Sequence, residues 1–297
     1  MESGTYAFQM DAPVAYPPRR VVSLVPSVTE SLFDLGVGDR LVGVTDYCVR
    51  PEAQTSRLPR IGGTKNPDID RILSLNPDLV IANQEENRRE DVERLREAGV
   101  AVWVTFPRTV RDALNLLWAI MEVFDEAGMV ERVRAIEWTC DWLERLAQQR
   151  ENNALRVFVP IWFDPLMTFN KDTYAHDLLR ICGGTNVFAD RERMYPLAAD
   201  LGEAAPLAAD DPKISGRDIR YPRVTLEEVI NTQPDVILLP DEPFSFDESH
   251  REQFLAIETP AAHGERVHLI DGSLLTWHGT RIARAFQDLP PLLYKED

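Results

Sequence analysis

From Arg20 onward the chain alternates between two hydrophobic rhythms. The runs RVVSLV, RLVGVT, DLVIA and VAVWVTF are β-branched and apolar at nearly every position, as strands buried on both faces are. Between them, SVTESLFDLG, IDRILSLN, REDVERLREAG and TVRDALNLLWAIMEVFDEAG space their apolar residues three and four apart, as helices do. This alternation over 20–127 predicts a small parallel sheet flanked by helices. Beyond residue 151 it restarts with strand RVFVPIWF, helix YAHDLLRICGG, helix LEEVINT, strands DVILLP and RVHLI, and helix GTRIARAFQDLPPLLY.

Between the two series lies MVERVRAIEWTCDWLERLAQQR, 129–150, with no Pro or Gly. As a helix it reaches roughly 33 Å. Met129, Val133, Ile136, Cys140, Leu143 and Ala147 form one apolar stripe, and Trp138, Trp142 and Leu146 a second. Two stripes predict contact with two bodies, one stripe for each, and a strut that limits hinge motion.

The two series also resemble each other. IDRILSLNPDLVIANQE (69–85) lies on LEEVINTQPDVILLPDE (226–242) at a constant offset of 157, pairing Pro77 with Pro234, Asp78 with Asp235 and Asp70 with Glu227. RVVSLVP lies on RVFVPIW at an offset of 136. The expected fold is therefore α/β, with two similar lobes, each a small parallel sheet flanked by helices, joined by one long connecting helix. The expected boundaries are an N-terminal arm at 1–19, lobe one at 20–127, the connecting helix at 128–151, and lobe two at 152–297. Lobe two carries an acidic, Ala/Pro-rich insertion at 190–217, read as a surface insertion rather than a lid. Locally, Ser27 and Glu30 have the spacing of a capping box, and Gly36 that of a helix C-cap.

Charge and composition narrow the function. A formal charge of −17 argues against nucleic acid as a partner. The three cysteines, Cys48, Cys140 and Cys182, form no CxxC or Cys/His cluster, so neither a disulfide framework nor a zinc site is expected. Cys140 and Cys182 read as buried thiols. No run is long enough to span a membrane. MESGTYAFQMDAPVAYPPRR shows no signal-peptide pattern, so the chain as given reads as cytoplasmic unless an export signal lies upstream.

In open parallel sheets ligands bind outside the carboxyl ends of the strands. The candidate residues there are Ser27, Lys65 beside the Gly62-Gly63 turn, Glu85 and Glu242 at strand ends, and the aromatics Phe106, Trp162 and Phe163. Aromatic faces at such a site suit a flat macrocycle or a catecholate. Trp277 and His278 stand in a loop before the last helix. His278 can offer an axial nitrogen to a metal or bond to backbone, and the second use is the commoner. Ser27 lacks a G-x-S-x-G elbow, and no nucleophilic or P-loop motif appears.

RVVSLVPSVTESLFDLGVGDRLVGVTDYC, IDRILSLNPDLVIA, LLRICGGTNVF and YPRVTLEEVINTQPDVILL together resemble the helical-backbone substrate-binding proteins of ABC importers. These are the cobalamin, ferric-siderophore and haem receptors. The resemblance implies capture of a metal chelate in the inter-lobe cleft, a corrinoid first and a siderophore or haem next. On it, Pro26 and Ser27 match the loop beneath the ligand, Tyr47 a corrinoid-contacting aromatic, and Tyr221 a position often held by Trp. Thr64 departs from the Trp often found in lobe one. Asp70 and Glu227 match the acids that dock on the permease. Bare-metal members place a His where Pro26-Ser27 stands, so direct zinc or manganese binding is not expected. The resemblance thus implies a monomeric binding protein, no enzyme and no intrinsic cofactor, acting outside the cytoplasm with a permease. The alternative is a cytoplasmic α/β protein reusing this fold for corrinoid or metal handling, with catalysis open to it.

Overall fold

The apolar runs become two four-stranded parallel sheets in a computed structural model that describes residues 16–150, 153–208 and 210–294. The first series contains β1 (Val21–Ser23), α1 (Pro26–Asp34), β2 (Leu41–Val44), α2 (Glu52–Thr55), α3 (Ile69–Ser74), β3 (Leu79–Asn83), α4 (Arg89–Glu97), β4 (Val102–Thr105) and α5 (Val110–Val123). The long helix α6 runs from Val130 to Gln149. The second series contains β5 (Leu155–Phe158), α7 (Tyr174–Ile181), β6 (Gly184–Asn186), α8 (Leu226–Thr232), β7 (Val236–Pro240), α9 (Glu248–Leu255), α10 (Pro260–His263), β8 (Val267–Ile270), α11 (Ser273–Thr276), α12 (Ile282–Asp288) and α13 (Pro290–Leu293). Five of these, α2, β6, α9, α10 and α11, escape the periodicity. β6 is the tripeptide GTN, with no apolar run, and α9 offers only Phe254 as a buried residue, so neither has a hydrophobic signature to read.

The strand orders are β2-β1-β3-β4 and β6-β5-β7-β8, one topology used twice. The repeat extends to register. Val21 of β1 faces Leu79 of β3, and Val157 of β5 faces Val236 of β7, as the two offsets require. It extends to capping. Asp68 accepts from Arg71 N at 2.9 Å, and Thr225, 157 residues on, accepts from Glu228 N at 3.1 Å. Asn76 and Gln233 both take left-handed backbone after the helix, at φ 46° and 45°. Arg20 reaches the Leu75 and Asn76 carbonyls, and Arg156 reaches that of Thr232. Every residue of β3 and β7 is buried, which is why both read as unbroken apolar runs.

The chain forms two compact units. The first comprises residues through Glu137 with Trp277–Ile282, and the second comprises Trp138–Thr276 with the remainder. The six residues 277–282 thus join the first unit, although their place in the chain assigns them to lobe two. Of the arm, 1–15 lie outside the described residues.

Two local expectations fail. The N-cap of α1 is Val25, with Pro26 at the first helical position, so Ser27 lies inside the first turn and caps nothing. Its partner in the supposed box, Glu30, instead binds Arg281. The second stripe of α6 is also not buried: Trp138 is 67% and Trp142 61% exposed. A single face serves the whole helix. Val133 and Ile136 are buried on it in the first unit, and Cys140 and Leu143 in the second. Gly36 does end α1 in left-handed backbone at φ 79°, with Val37 N bonded to Leu32 O. All three cysteines are buried free thiols, Cys140 and Cys182 as expected.

Candidate functional site

In the first unit the carboxyl ends of β1, β3 and β4 carry a polar floor. Asn83, the last residue of β3, accepts at Oδ1 from Glu85 N (2.7 Å), and its Nδ2 lies 3.4 Å from Thr105 Oγ1 at the end of β4. Asn87 accepts from Asn83 N at 2.7 Å and donates to Thr64 O at 3.0 Å, tying the strand end to the Gly62-Gly63 turn. Lys65 donates to the Glu85 carbonyl at 2.5 Å, so its exposed side chain is committed across this edge. Neither asparagine stands out in sequence: a polar residue ending an apolar run is the only signal for Asn83.

The loop 277–282 completes the floor. His278 lies 3.4 Å from Ser27 Oγ and 3.5 Å from Asn83 Nδ2 and is buried. Burial holds its pKa down to about 4, so the imidazole is neutral at ordinary pH. Gly279, at φ +94°, passes so close to α1 that a Cβ there would lie 2.2 Å from Ser31 Oγ, which accepts from Thr280 N. Only glycine allows that approach. Arg281 forms a bidentate, buried pair with Glu30, and its guanidinium stands 5.4 Å from the Trp277 ring centre.

The predicted residues of this unit divide by exposure. Pro26, Ser27, Trp277 and His278 are buried, Phe106 is half-buried, and Tyr47 and Lys65 are exposed. Tyr47, 61% exposed, leans its ring toward Gly63, where an added Cβ would meet Cε2 at 3.5 Å.

In the second unit the strand ends carry aromatics instead. Trp162 follows β5 in a tight hairpin closed by Met167 N donating to Trp162 O, and its Nε1 donates to Asp164 O at 3.1 Å. Its ring, 43% exposed, meets the edge of Phe244 beyond β7 at 5.5 Å. Behind it Phe163 packs edge-on to His250 at 4.6 Å. Glu242 accepts from Thr276 Oγ1 at 2.6 Å and is thereby fixed. Tyr221 is half-buried, with Arg220 5.3 Å from its ring centre. Asp70 and Glu227 are both exposed at the second position of α3 and α8. Just before Glu227, exposed Leu226 opens a depression with Phe163, Leu166, Gln253 and Phe254. Among the described residues no group of three or more His, Cys, Asp or Glu side chains is arranged to hold a metal ion.

Duplicated parallel sheets with furnished carboxyl ends make a scaffold for binding, and comparison with known proteins identifies it. Residues 21–219 match the family model described as periplasmic binding protein. The chain belongs to the periplasmic binding protein family. Its relatives include the vitamin B12-binding protein of Vibrio cholerae, 26% identical over 226 residues, covering 75% of this chain and 70% of that protein. An ABC transporter substrate-binding lipoprotein of Bacillus subtilis is 25% identical over 98% of this chain and 84% of its own length. Among solved structures, the periplasmic heme-binding protein RhuT of Roseiflexus sp. RS-1 in apo form superposes with a TM-score of 0.69 at 26% identity, covering 92% of this chain and 97% of that one. A member of the periplasmic binding protein family is a solute receptor, and the named relatives are binding proteins rather than enzymes.

Proposed function

We propose that this chain is the solute-binding component of an ABC importer and that its ligand is a metal chelate, a corrinoid in first place and haem or a ferric siderophore next. The observation that carries this reading is the unlike furnishing of two equivalent strand-end faces. A chelate of the corrin or porphyrin type has a flat apolar face and a rim of amides or carboxylates. The polar floor, with Pro26 and Ser27 beneath it and Lys65, Tyr47 and Phe106 around it, suits the rim. In the second unit Trp162, backed by Phe244, and Tyr221 offer aromatic faces of the kind that take a flat ring. Trp277 and His278, the latter within 3.5 Å of Ser27 and Asn83, belong to the same floor. The names of the Vibrio cholerae and Roseiflexus relatives support the corrinoid and haem assignments.

Asp70 and Glu227 are the proposed contacts to the permease. Each is exposed in the first turn of its helix, and the repeat pairs them. In this reading the protein works as a monomer outside the cytoplasmic membrane, has no cofactor of its own and catalyses nothing. Calorimetric titration with cyanocobalamin, haemin and a ferric siderophore tests it. One of them should bind saturably at one per chain, and Trp162→Ala should weaken that binding by about fivefold or more, an aromatic contact being worth ~1 kcal/mol or above. No binding by any of the three overturns the reading.

A further inference from the structure

Residues 190–217 make the second unit longer than the first, and they hold a feature that the proposed function does not use. The segment is pinned at both ends. Arg193 N donates to Ile219 O at 2.9 Å, Leu207 N to Tyr195 O at 2.7 Å, and Tyr195 Oη to Asp218 O at 2.9 Å. On this frame a depression of about 290 Å³ is lined by Tyr195, Pro196, Leu207, Lys213 and Arg217. Two guanidinium groups stand over the Tyr195 ring, Arg217 at 4.9 Å and Arg193 at 5.7 Å from its centre.

Of the nearby carboxylates, Asp218 interacts electrostatically with Arg193 as well as with Arg220, which leaves Lys213 and Arg217 as the cations of the depression without an ion pair among the described residues. Asp218 is taken by Arg220, at 2.6 Å, and buried Asp200 by Arg191, at 3.3 Å. Asp211 accepts from the backbone N of Lys213 at 2.8 Å. Among the described residues, no side-chain hydrogen bond or ion pair engages Arg217 or Lys213. The Nε of Arg193 is buried without an acceptor. Lys213 and Arg217 line the depression as two cations of like charge, and an anion held by both relieves their repulsion. The pair stands out on a chain of net charge −17.

We propose that this depression is a binding site for an amphipathic carboxylate. Arg217 and Lys213 hold the carboxylate, with Arg193 behind them, while Tyr195, Pro196 and Leu207 cover the apolar body. Guanidinium matches a carboxylate in two parallel hydrogen bonds, and the tyrosine face accepts a flat hydrocarbon.

The test uses the full chain and two probes of one shape, 2-naphthoate and the uncharged 2-naphthalenemethanol, each titrated calorimetrically at low ionic strength. Naphthoate should bind about tenfold tighter, the worth of one charge-assisted hydrogen bond, with the preference falling as salt rises. The double variant Lys213→Gln/Arg217→Gln should lose the preference while keeping its circular dichroism spectrum. If that variant does not fold, Arg217→Gln alone, at an exposed side chain, carries the measurement. Equal affinities for the two probes, no binding of naphthoate, or a preference that survives in the variants would overturn the site. Failure of every chelate to bind, with the naphthoate preference intact, would sink the proposed function and leave this site standing.

Discussion

The two units share a backbone and differ where the strands end. Strand order, register, helix capping and the left-handed residue after the capped helix recur at fixed offsets. At the carboxyl edge the likeness stops: asparagines, Ser27 and a neutral histidine in the first unit, Trp162 and a phenylalanine cluster in the second. The difference teaches where a duplicated α/β scaffold is free to vary. Positions inside the sheets must satisfy the same packing twice, whereas strand-end side chains escape that shared constraint. A second difference is covalent order. The floor of the first unit is completed by Trp277–Ile282, whereas the second unit is built from one continuous stretch and the C-terminal helices.

That dependence on a distant loop is the easiest part of the comparison to break, and carries the largest expected effect. Arg281 and Glu30 have side chains only 5% and 14% exposed. Removing one partner of a buried pair typically costs ~3–5 kcal/mol, because the other charge is left unpaired. Arg281→Met should therefore speed hydrogen exchange at the amides of α1 and β1 while leaving β7 protected. The double variant Glu30→Gln/Arg281→Met should recover much of the loss. Unchanged exchange in α1 would mean that the loop is not needed by the first unit.

The next effect in size is a pH dependence that belongs to the first floor. His278 has its pKa lowered to about 4 by burial, against ~6.5 in an unfolded chain. Above pH ~6.5 the ring is neutral in both states and contributes nothing. As pH falls below that, the unfolded chain takes up a proton that the folded one refuses. Stability is then lost progressively and levels off below pH 4, with a total of ~3 kcal/mol. His176 and His268, in the second unit, are shifted the same way by burial. His278→Gln should flatten this acid limb in urea titrations run across the interval. A limb as steep as that of the parent would place its origin elsewhere.

The sequence carried the scaffold further than the site because the two obey different physics. β3 and β7 are apolar at nearly every position since both faces are covered, and a covered strand leaves a readable run. Pro77 and Pro234 punctuate the two halves alike, so the repeat was legible before any contact was known. Trp162 was legible as an aromatic at a strand end and Tyr47 only through the family resemblance, and both are exposed. Asn83 and Asn87 were not, because their importance lies in hydrogen bonds to Thr64, Thr105 and each other, which no local spacing encodes. Ser27 misled for the opposite reason. Its capping spacing was genuine, but Pro26 starts the helix one residue early and Glu30 answers a charge 251 positions away. The exposed Trp138 and Trp142 show that i, i+4 spacing marks a shared helix face without saying that anything covers it.

The smallest expected effect is also the one that measures the repeat most directly. Asp78 and Asp235 hold matching places ahead of β3 and β7, each accepting from the backbone that opens the neighbouring strand. Asp78 takes two such bonds, from Arg19 N at 2.7 Å and Arg20 N at 3.0 Å. Asp235 takes one, from Arg156 N at 2.9 Å. Arg20 and Arg156 then anchor the preceding helices through their guanidinium groups, so the backbone clamp is otherwise the same. With about 1 kcal/mol for each hydrogen bond, Asp78→Ala should cost ~2 kcal/mol and Asp235→Ala ~1 kcal/mol. Hydrogen exchange at the amides of β1 and β5 reads each cost in its own unit. If the costs fall in that ratio, the two clamps are equivalent bond for bond. A larger loss at Asp235 would mean that the second unit leans on its clamp more heavily, and that the likeness in backbone conceals a difference in how the two sheets are held.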